Sequence, residues 1–250
     1  TVAAALEEGL SNGFEYHDCG GFKEVGGWRI RCVARNGHGP LTVEEGIMKS
    51  CNIVMMDLAA QMGRDRFSHY QELFGFGSRT GIDLPGEAST KNLVYSVGRM
   101  GPTELATNSF GQNYNCTMIQ MASAYCSIVN GGSYYEPHVV RQIVNEQGAV
   151  VRKIEPKLVR ETVSKSTSDY LKNALFKTVD SGTGSAAAVT GYQVGGKTGT
   201  AEKLPRSARN YVVSFAGYAP VENPEVVVYV VIDTPNLPGT EQAHSSFASS

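Results

Sequence analysis

No apolar run in this sequence of 250 residues approaches the roughly 18 residues that a membrane-crossing helix needs, so no helical span is expected within it. Blocks of like charge are missing too. Lys and Arg total 22 against 24 Asp and Glu, a formal net charge of -2, which gives no reason to expect nucleic acid or an anionic membrane surface as a partner. There is no internal repeat and no low-complexity tract, so neither a solenoid nor a long disordered linker is expected. Tryptophan occurs once, and cysteine five times. An odd cysteine count leaves at least one thiol free unless chains are crosslinked. The 41% hydrophobic content at this length is enough for one large domain with a full core.

What the chain does have is glycine, concentrated around Lys197, Thr198 and Thr200 in the stretch Gly191-Tyr-Gln-Val-Gly-Gly-Lys-Thr-Gly-Thr-Ala-Glu-Lys203. Two chemistries fit these letters. Gly191 to Thr198 satisfies G-x-x-x-x-G-K-[ST], the phosphate-cradling loop, and Lys197-Thr198-Gly199 satisfies the K-T-G box of serine acyl-transferases. A phosphate loop needs a buried strand before it and a helix opening at its lysine. Upstream, however, Ser181 to Thr190 is small and polar, and downstream the alternating run Tyr211 to Tyr218 reads as a strand. Only 52 residues follow Thr198, too few for several βαβ units. The setting favours the K-T-G reading over a phosphate loop or a purely structural glycine turn.

The rest of the chain divides by period. Thr1 to Leu10 reads as the body of a helix, and Phe14 to Pro40 as a glycine-rich section with a hairpin around Trp28 to Val33. Leu41 to Met62 is helical in period, opened by a capping box of Thr42 and Glu45, with a weak point at Ser50 and Asn52, whose side chains compete for backbone hydrogen bonds. Further helices are expected at Arg64 to Phe74, Pro102 to Phe110 and from a second capping box at Thr117 and Gln120 to Asn130. Gly75 to Ser96 is a turn-rich excursion. Beyond it come a hairpin over His138 to Ile154, a helix over Ser166 to Val179, and strands at Gln193 to Glu202, Tyr211 to Val221 and Glu225 to Ile232. Because Val226 to Ile232 lacks alternation, that last strand is expected to be covered on both faces. Trp28, Tyr125, Tyr134 and Tyr135 are expected in the core or the cleft wall. The fold class is α/β of the α+β type: a mostly antiparallel sheet with helices on both faces, the helical part mainly in residues 1-132 and the sheet part mainly in 133-250.

Ser50-Cys51-Asn52 fits an S-x-N box and Lys197-Thr198-Gly199-Thr200 a K-T-G-T strand. Around them stand Gly37-His-Gly39, Ser109-Phe-Gly-Gln112, Ile119 to Tyr125, Asn130-Gly-Gly132 and Ser214-Phe-Ala-Gly-Tyr-Ala-Pro220. In these features the sequence resembles, over nearly its whole length, the transpeptidase domain of class B penicillin-binding proteins, a serine beta-lactamase/transpeptidase-like fold. The elongation, division and sporulation-specific members are the most similar.

The resemblance implies peptidoglycan D,D-transpeptidation, with peptidoglycan stem peptides as substrate, beta-lactam antibiotics as acylating inhibitors and no cofactor. It implies a membrane-anchored parent on the extracytoplasmic face of the bacterial membrane, with a membrane glycosyltransferase as partner. Lys197 would supply positive charge and join the proton network, and Ser50 would relay protons. Asn52 would bond a substrate amide, the Thr198 and Thr200 hydroxyls would hold the substrate carboxylate, Gly199 would let a substrate strand approach, and the Thr200 amide would be an oxyanion donor. The family's nucleophile and base form an S-x-x-K box, and no serine here has lysine three positions later. Thr1 to Glu8 resembles the helix that continues just past that box, so the chain reads as part of a longer protein. Alternatives of another class stay open: a beta-lactam sensor or beta-lactamase-like acyl-transferase, or a non-catalytic scaffold of a wall-building complex.

Cys51, Cys116 and Cys126 lie in apolar helical contexts and read as small buried residues. Cys19 and Cys32, with 12 residues between them, allow three readings: a disulfide, two free thiols, or a metal site using His17 and His38. No dedicated metal centre is assigned from sequence, and His38 is expected to be a backbone-bonding loop residue.

Overall fold

Residues 1–238 and 241–250 are described in the computed structural model. The chain begins with α1 (Val2–Glu7), whose Val2 and Ala3 to Ala5 are buried. Four short strands follow: β1 (Tyr16–Cys19), β2 (Phe22–Val25), β3 (Trp28–Arg31) and β4 (Gly39–Thr42). The hairpin is β2 with β3, while β1 pairs with β4 from Tyr16↔Thr42 to Cys19↔Gly39. Helix α2 (Val43–Met48) opens on the expected capping box: the Thr42 hydroxyl accepts from the Glu45 amide at 3.3 Å, and the Glu45 carboxylate accepts from the Thr42 amide at 2.8 Å. The two bonds satisfy amides that a helix start leaves without partners.

The break foreseen at Ser50 is present, and α3 (Asn52–Leu73) begins immediately after it. The separate helix expected from Arg64 is the second half of α3, set off by Gly63 at φ 75°, ψ 165°. Next come α4 (Pro102–Ser109) and α5 (Met118–Val129). The excursion over 75–96 is pinned by the fully buried Gln120 of α5, whose amide donates to the Thr90 hydroxyl at 2.8 Å and to the Ser78 carbonyl. Of β5 (Ser133–Glu136), β6 (Gln142–Val144), β7 (Val150–Lys153) and β8 (Lys157–Glu161), the middle pair forms an exposed hairpin and the outer pair closes below it.

Helix α6 (Lys165–Ser181) leads to the principal sheet of β9 (Gly195–Glu202), β10 (Tyr211–Ala219) and β11 (Val226–Asp233), antiparallel in the order β11-β10-β9, and α7 (Ser246–Ser249) packs back on it. Alternate residues of β10 point to opposite sides of the sheet. Ala216 and Tyr218 join the helical core, where the Tyr218 and Tyr125 rings lie 6.3 Å apart. Val213 and Phe215 pack with Val179 of α6 and Ala248 of α7. Burying a valine or phenylalanine side chain such as Val213 or Phe215 in this way contributes roughly 1.5–3 kcal/mol. Helices therefore cover both faces of a mainly antiparallel sheet, as expected.

Two expectations are corrected. Val226, Val228 and Val230 of β11 are 56%, 55% and 37% exposed, so among the described residues that strand is covered on one face only. Its lack of alternation reflects valine on both faces, not burial of both. Trp28, at 69% exposure, and Tyr135 are on the surface, whereas Tyr125 and Tyr134 are buried.

Candidate active site

The site forms where the α2–α3 junction meets β9. Helix α2 ends at Met48, and Ser50 then takes φ 53°, a left-handed conformation that is uncommon and costly for a residue with a β-carbon and that gathers at functional sites. The reversal sends Cys51 inward, where it is fully buried, and turns the Ser50 hydroxyl toward the sheet. There the ammonium of Lys197 donates to it, and also to the Thr198 carbonyl at 2.9 Å. Burial lowers the Lys197 pKa to about 8, so a modest change in charge around the amine moves it between proton donor and proton acceptor.

A third hydroxyl closes the group. Thr183 Oγ1 lies 3.3 Å from Ser50 Oγ and 3.3 Å from Thr198 Oγ1, and it donates to the Met48 carbonyl at 3.1 Å. Lys197, Ser50, Thr198 and Thr183 thus form one connected polar network. The reading from sequence missed Thr183, although it saw the small polar tract around it. The signal was Gly182: a β-carbon there would stand 2.8 Å from the Met48 carbonyl, so only glycine brings this tract against the end of α2.

The strand explains its own glycines. At Gly195 an added β-carbon would meet the Tyr218 ring at 2.3 Å and at Gly196 the Phe215 ring at 2.3 Å. These two let aromatic side chains of β10 lie across β9. Gly199 differs: its nearest obstacle is the rotatable Ser214 hydroxyl at 2.6 Å, and the next atom is 3.9 Å away. Two positions along from Lys197, Gly199 lies on the same face and leaves it open.

β9 is the edge strand of its sheet, and its ladder bonds to β10 fall on alternate residues. The Thr200 carbonyl accepts from the Gln112 side chain at 3.5 Å, on the side away from β10. A strand residue sends its N–H and C=O to the same side, so the Thr200 amide also points to the free edge. The Thr200 hydroxyl, on an exposed residue, lies 3.3 Å from the Ala243 carbonyl. The Asn52 amide nitrogen donates to the Arg31 carbonyl at 3.0 Å. No helix opens at Lys197, which removes the phosphate-loop reading on structural grounds.

Of the three readings for Cys19 and Cys32, the structure has the free thiols, and Cys51 is buried as expected. All five are free thiols, and Cys19 and Cys32 form no bridge. The Cys32 sulfur is 3.8 Å from that of Cys51 and 3.7 Å from His38 Nδ1, so Cys51 belongs with them and His38 faces sulfur rather than backbone. Cys126 is exposed, not buried. His17 is elsewhere, 3.1 Å from the Asp57 carboxylate.

Comparison with known proteins gives the family and the fold. Residues 1–249 match the penicillin binding protein transpeptidase domain family. Stage V sporulation protein D of Bacillus subtilis is 40% identical over 241 residues, covering 94% of this chain and 37% of that protein. Penicillin-binding protein PbpB of Mycolicibacterium smegmatis is 31% identical over 261 residues, covering 99% of this chain and 40% of that protein. The chain therefore spans about two fifths of the length of these curated relatives. Among solved structures, penicillin binding protein 3 of Mycobacterium tuberculosis complexed with aztreonam superposes with a TM-score of 0.86 at 28% identity, over 98% of this chain and 58% of that one. The D,D-transpeptidase domain of a peptidoglycan glycosyltransferase from Eggerthella lenta gives 0.85 at 29% identity, over 98% of this chain and 61% of that one.

Proposed function

The chain belongs to the penicillin-binding protein transpeptidase family, and from that premise we propose that its cleft is one wall of a peptidoglycan D,D-transpeptidase site. In that reaction a serine oxygen attacks the carbonyl between two terminal D-alanines, the C–N bond breaks, and the terminal D-alanine leaves with a proton on its amine. An amine from a neighbouring stem peptide then displaces the serine. A beta-lactam acylates the same serine by opening its ring amide.

The observation that carries this reading is the pairing of Lys197 with Ser50 directly beside an open strand edge. A peptide laid along that edge places its scissile carbonyl oxygen at the outward Thr200 amide, where a preorganised donor stabilises the developing oxyanion. Its carboxylate meets the Thr198 and Thr200 hydroxyls under the positive charge of Lys197. Ser50 passes a proton between Lys197 and the leaving amine. Asn52, its nitrogen held by Arg31, offers its carbonyl oxygen to a substrate N–H.

The nucleophile belongs to an S-x-x-K segment that the 250 residues do not contain. We place the full-length product on the extracytoplasmic face of the membrane, with a membrane glycosyltransferase supplying the glycan strands that it cross-links. Among the described residues no helix is long and apolar enough to cross a membrane.

A fluorescent penicillin tests the reading. The full-length gene product is expected to label stably and the 250-residue chain not to label. An unlabelled full-length product would remove the transpeptidase assignment, and stable labelling of the short chain would remove the assignment of the nucleophile to a segment outside it.

A further inference from the structure

Beside Ser50 lies an open cleft of about 450 Å³, with Val33, Ala34, His38, Met48, Lys49 and Thr183 in its lining. None of its lining residues comes from β9. It meets the reacting groups through Thr183, whose hydroxyl is 3.3 Å from Ser50 Oγ. We propose that this cleft takes the acceptor strand, and that the Lys49 ammonium holds a carboxylate of that acceptor. The proposal rests on the transpeptidase reading and adds to it the chemical class of the second substrate: an amine on an aliphatic arm of an anionic peptide.

Two substrates must reach one carbonyl. The donor peptide lies along β9, where its terminal carboxylate meets Thr198 and Thr200. An acceptor amine then takes the place of the departed D-alanine. A C–N bond forms while the serine ester C–O bond breaks, and the proton lost by the amine returns to the serine oxygen through Ser50 and Lys197. The amine therefore has to arrive at Ser50 with the rest of its chain clear of the donor. The cleft at Thr183 offers that route, and Val33, Ala34 and Met48 give aliphatic surface to the arm that carries the amine.

The charge of Lys49 is free to be used. Among the described residues its ammonium has no ion pair and no hydrogen bond, and the acids nearest in sequence are engaged elsewhere: Glu44 with Asn173 and Lys177, each at 2.8 Å, and Glu45 in the capping box. The bland alternative is a lysine placed at the end of α2, where a helix terminus favours a cation. The last carbonyls of α2 do not need it. Those of Glu45, Gly46 and Ile47 accept from the amides of Lys49, Cys51 and Ser50, and that of Met48 accepts from Thr183.

The cleft is built from fixed backbone. Thr183 gives both its amide and its hydroxyl to the Met48 carbonyl, each at 3.1 Å. Gly37 sets the wall that carries His38: it turns at φ +87°, and a β-carbon on it would stand 2.1 Å from the Cys19 carbonyl oxygen. An acceptor that enters does not have to order these segments, so little of its binding energy is lost to doing so. Arg35, next to Ala34, is exposed and has no ion pair among the described residues, and it adds positive charge to the same loop.

The test uses the full-length product with a D-alanine-terminated stem peptide as donor. The acceptor is a synthetic stem peptide bearing the free amine, in two forms: carboxylates free, or converted to amides. Cross-linked product is measured by mass spectrometry across acceptor concentrations. For the free-carboxylate acceptor, Lys49→Ala is expected to raise KM about fivefold, the upper range for an exposed ion pair, acting on KM rather than kcat. Lys49→Glu should raise it further and Lys49→Arg restore it, while the KM of the amide acceptor follows none of these changes. On the unmutated protein, a comparison that needs no variant to fold, the preference for free carboxylates should shrink as salt is added. Equal KM values for the two acceptors there, or a Lys49→Ala effect of the same size on both, would overturn the proposal and leave the transpeptidase reading standing. An unmutated full-length product that a fluorescent penicillin does not label would remove that reading and this proposal with it.

Discussion

β9 enters the cleft as a strand paired with β10 at eight successive positions, from Gly195↔Tyr218 to Glu202↔Tyr211. The facing wall, between Cys19 and Cys51, has no strand longer than four residues and takes its shape from turns and side chains: Gly37, the Thr42 capping box and the Cys19, Cys32, His38 and Cys51 cluster. In the first wall the backbone ladder sets where Lys197 and Thr200 stand, and their side chains are free to do chemistry. In the second, the side chains themselves hold the backbone in place. Substitutions should therefore separate function from stability in β9 and combine them across the gap.

Lys197→Met gives the largest expected effect. In the full-length product it should slow penicillin acylation by about 10²–10⁴-fold, the usual worth of a positioned proton-transfer group, measured by stopped-flow or gel labelling kinetics. Stability should move the other way. Burial lowers Lys197 from its ordinary 10.5 to about 8, so between those pH values the unfolded chain binds more protons than the folded one, and stability rises with pH across that window. The cost of the buried charge is fully present below about pH 8. Lys197→Met should therefore melt at a higher temperature than the unmutated chain at pH 7, with the gap closing by pH 10.5. A melting temperature lowered at pH 7 would show that the ladder alone does not hold this wall.

Gly37→Ala should break the other wall. Forcing a β-carbon into a left-handed turn against the Cys19 carbonyl costs about 2–3 kcal/mol or more, read as a lower midpoint in urea with an unchanged slope. Thr183→Val gives the smallest effect and falls between the two cases. It removes one hydroxyl from an exposed position, so stability should stay within about 0.5 kcal/mol while acylation slows about tenfold through lost hydrogen bonding to Ser50 and Thr198. A stability loss as large as that of Gly37→Ala would mean that Thr183 is scaffold.

The same contrast explains what could be read in advance. Capping at Thr42 and Thr117, the interruption at Ser50 and the strand after Gly195 are written in neighbouring letters, because hydrogen bonds one turn or one strand long decide them. Convergence of Cys19, Cys32, His38 and Cys51 is not, since it depends on how β1 and β4 pair across the chain between Cys19 and its partner Gly39. Thr183 escaped for the same reason: its partners Ser50 and Met48 are 133 and 135 residues away. The valines of β11 misled in another way, for period reports burial only when the exposed face is polar.

The outer edge of β9 has one more consequence, for the company the protein keeps. Unpaired strand amides accept any extended backbone, including another copy of the same chain, and proteins with such edges risk stacking into aggregates. This edge discourages long pairings. Three of its eight residues are glycine, which pairs poorly in sheets, and Gln112 already occupies the Thr200 carbonyl. A short peptide can use the positions that remain, whereas a full-length strand would have to displace Gln112, so the means of admitting a substrate also keeps neighbouring molecules apart.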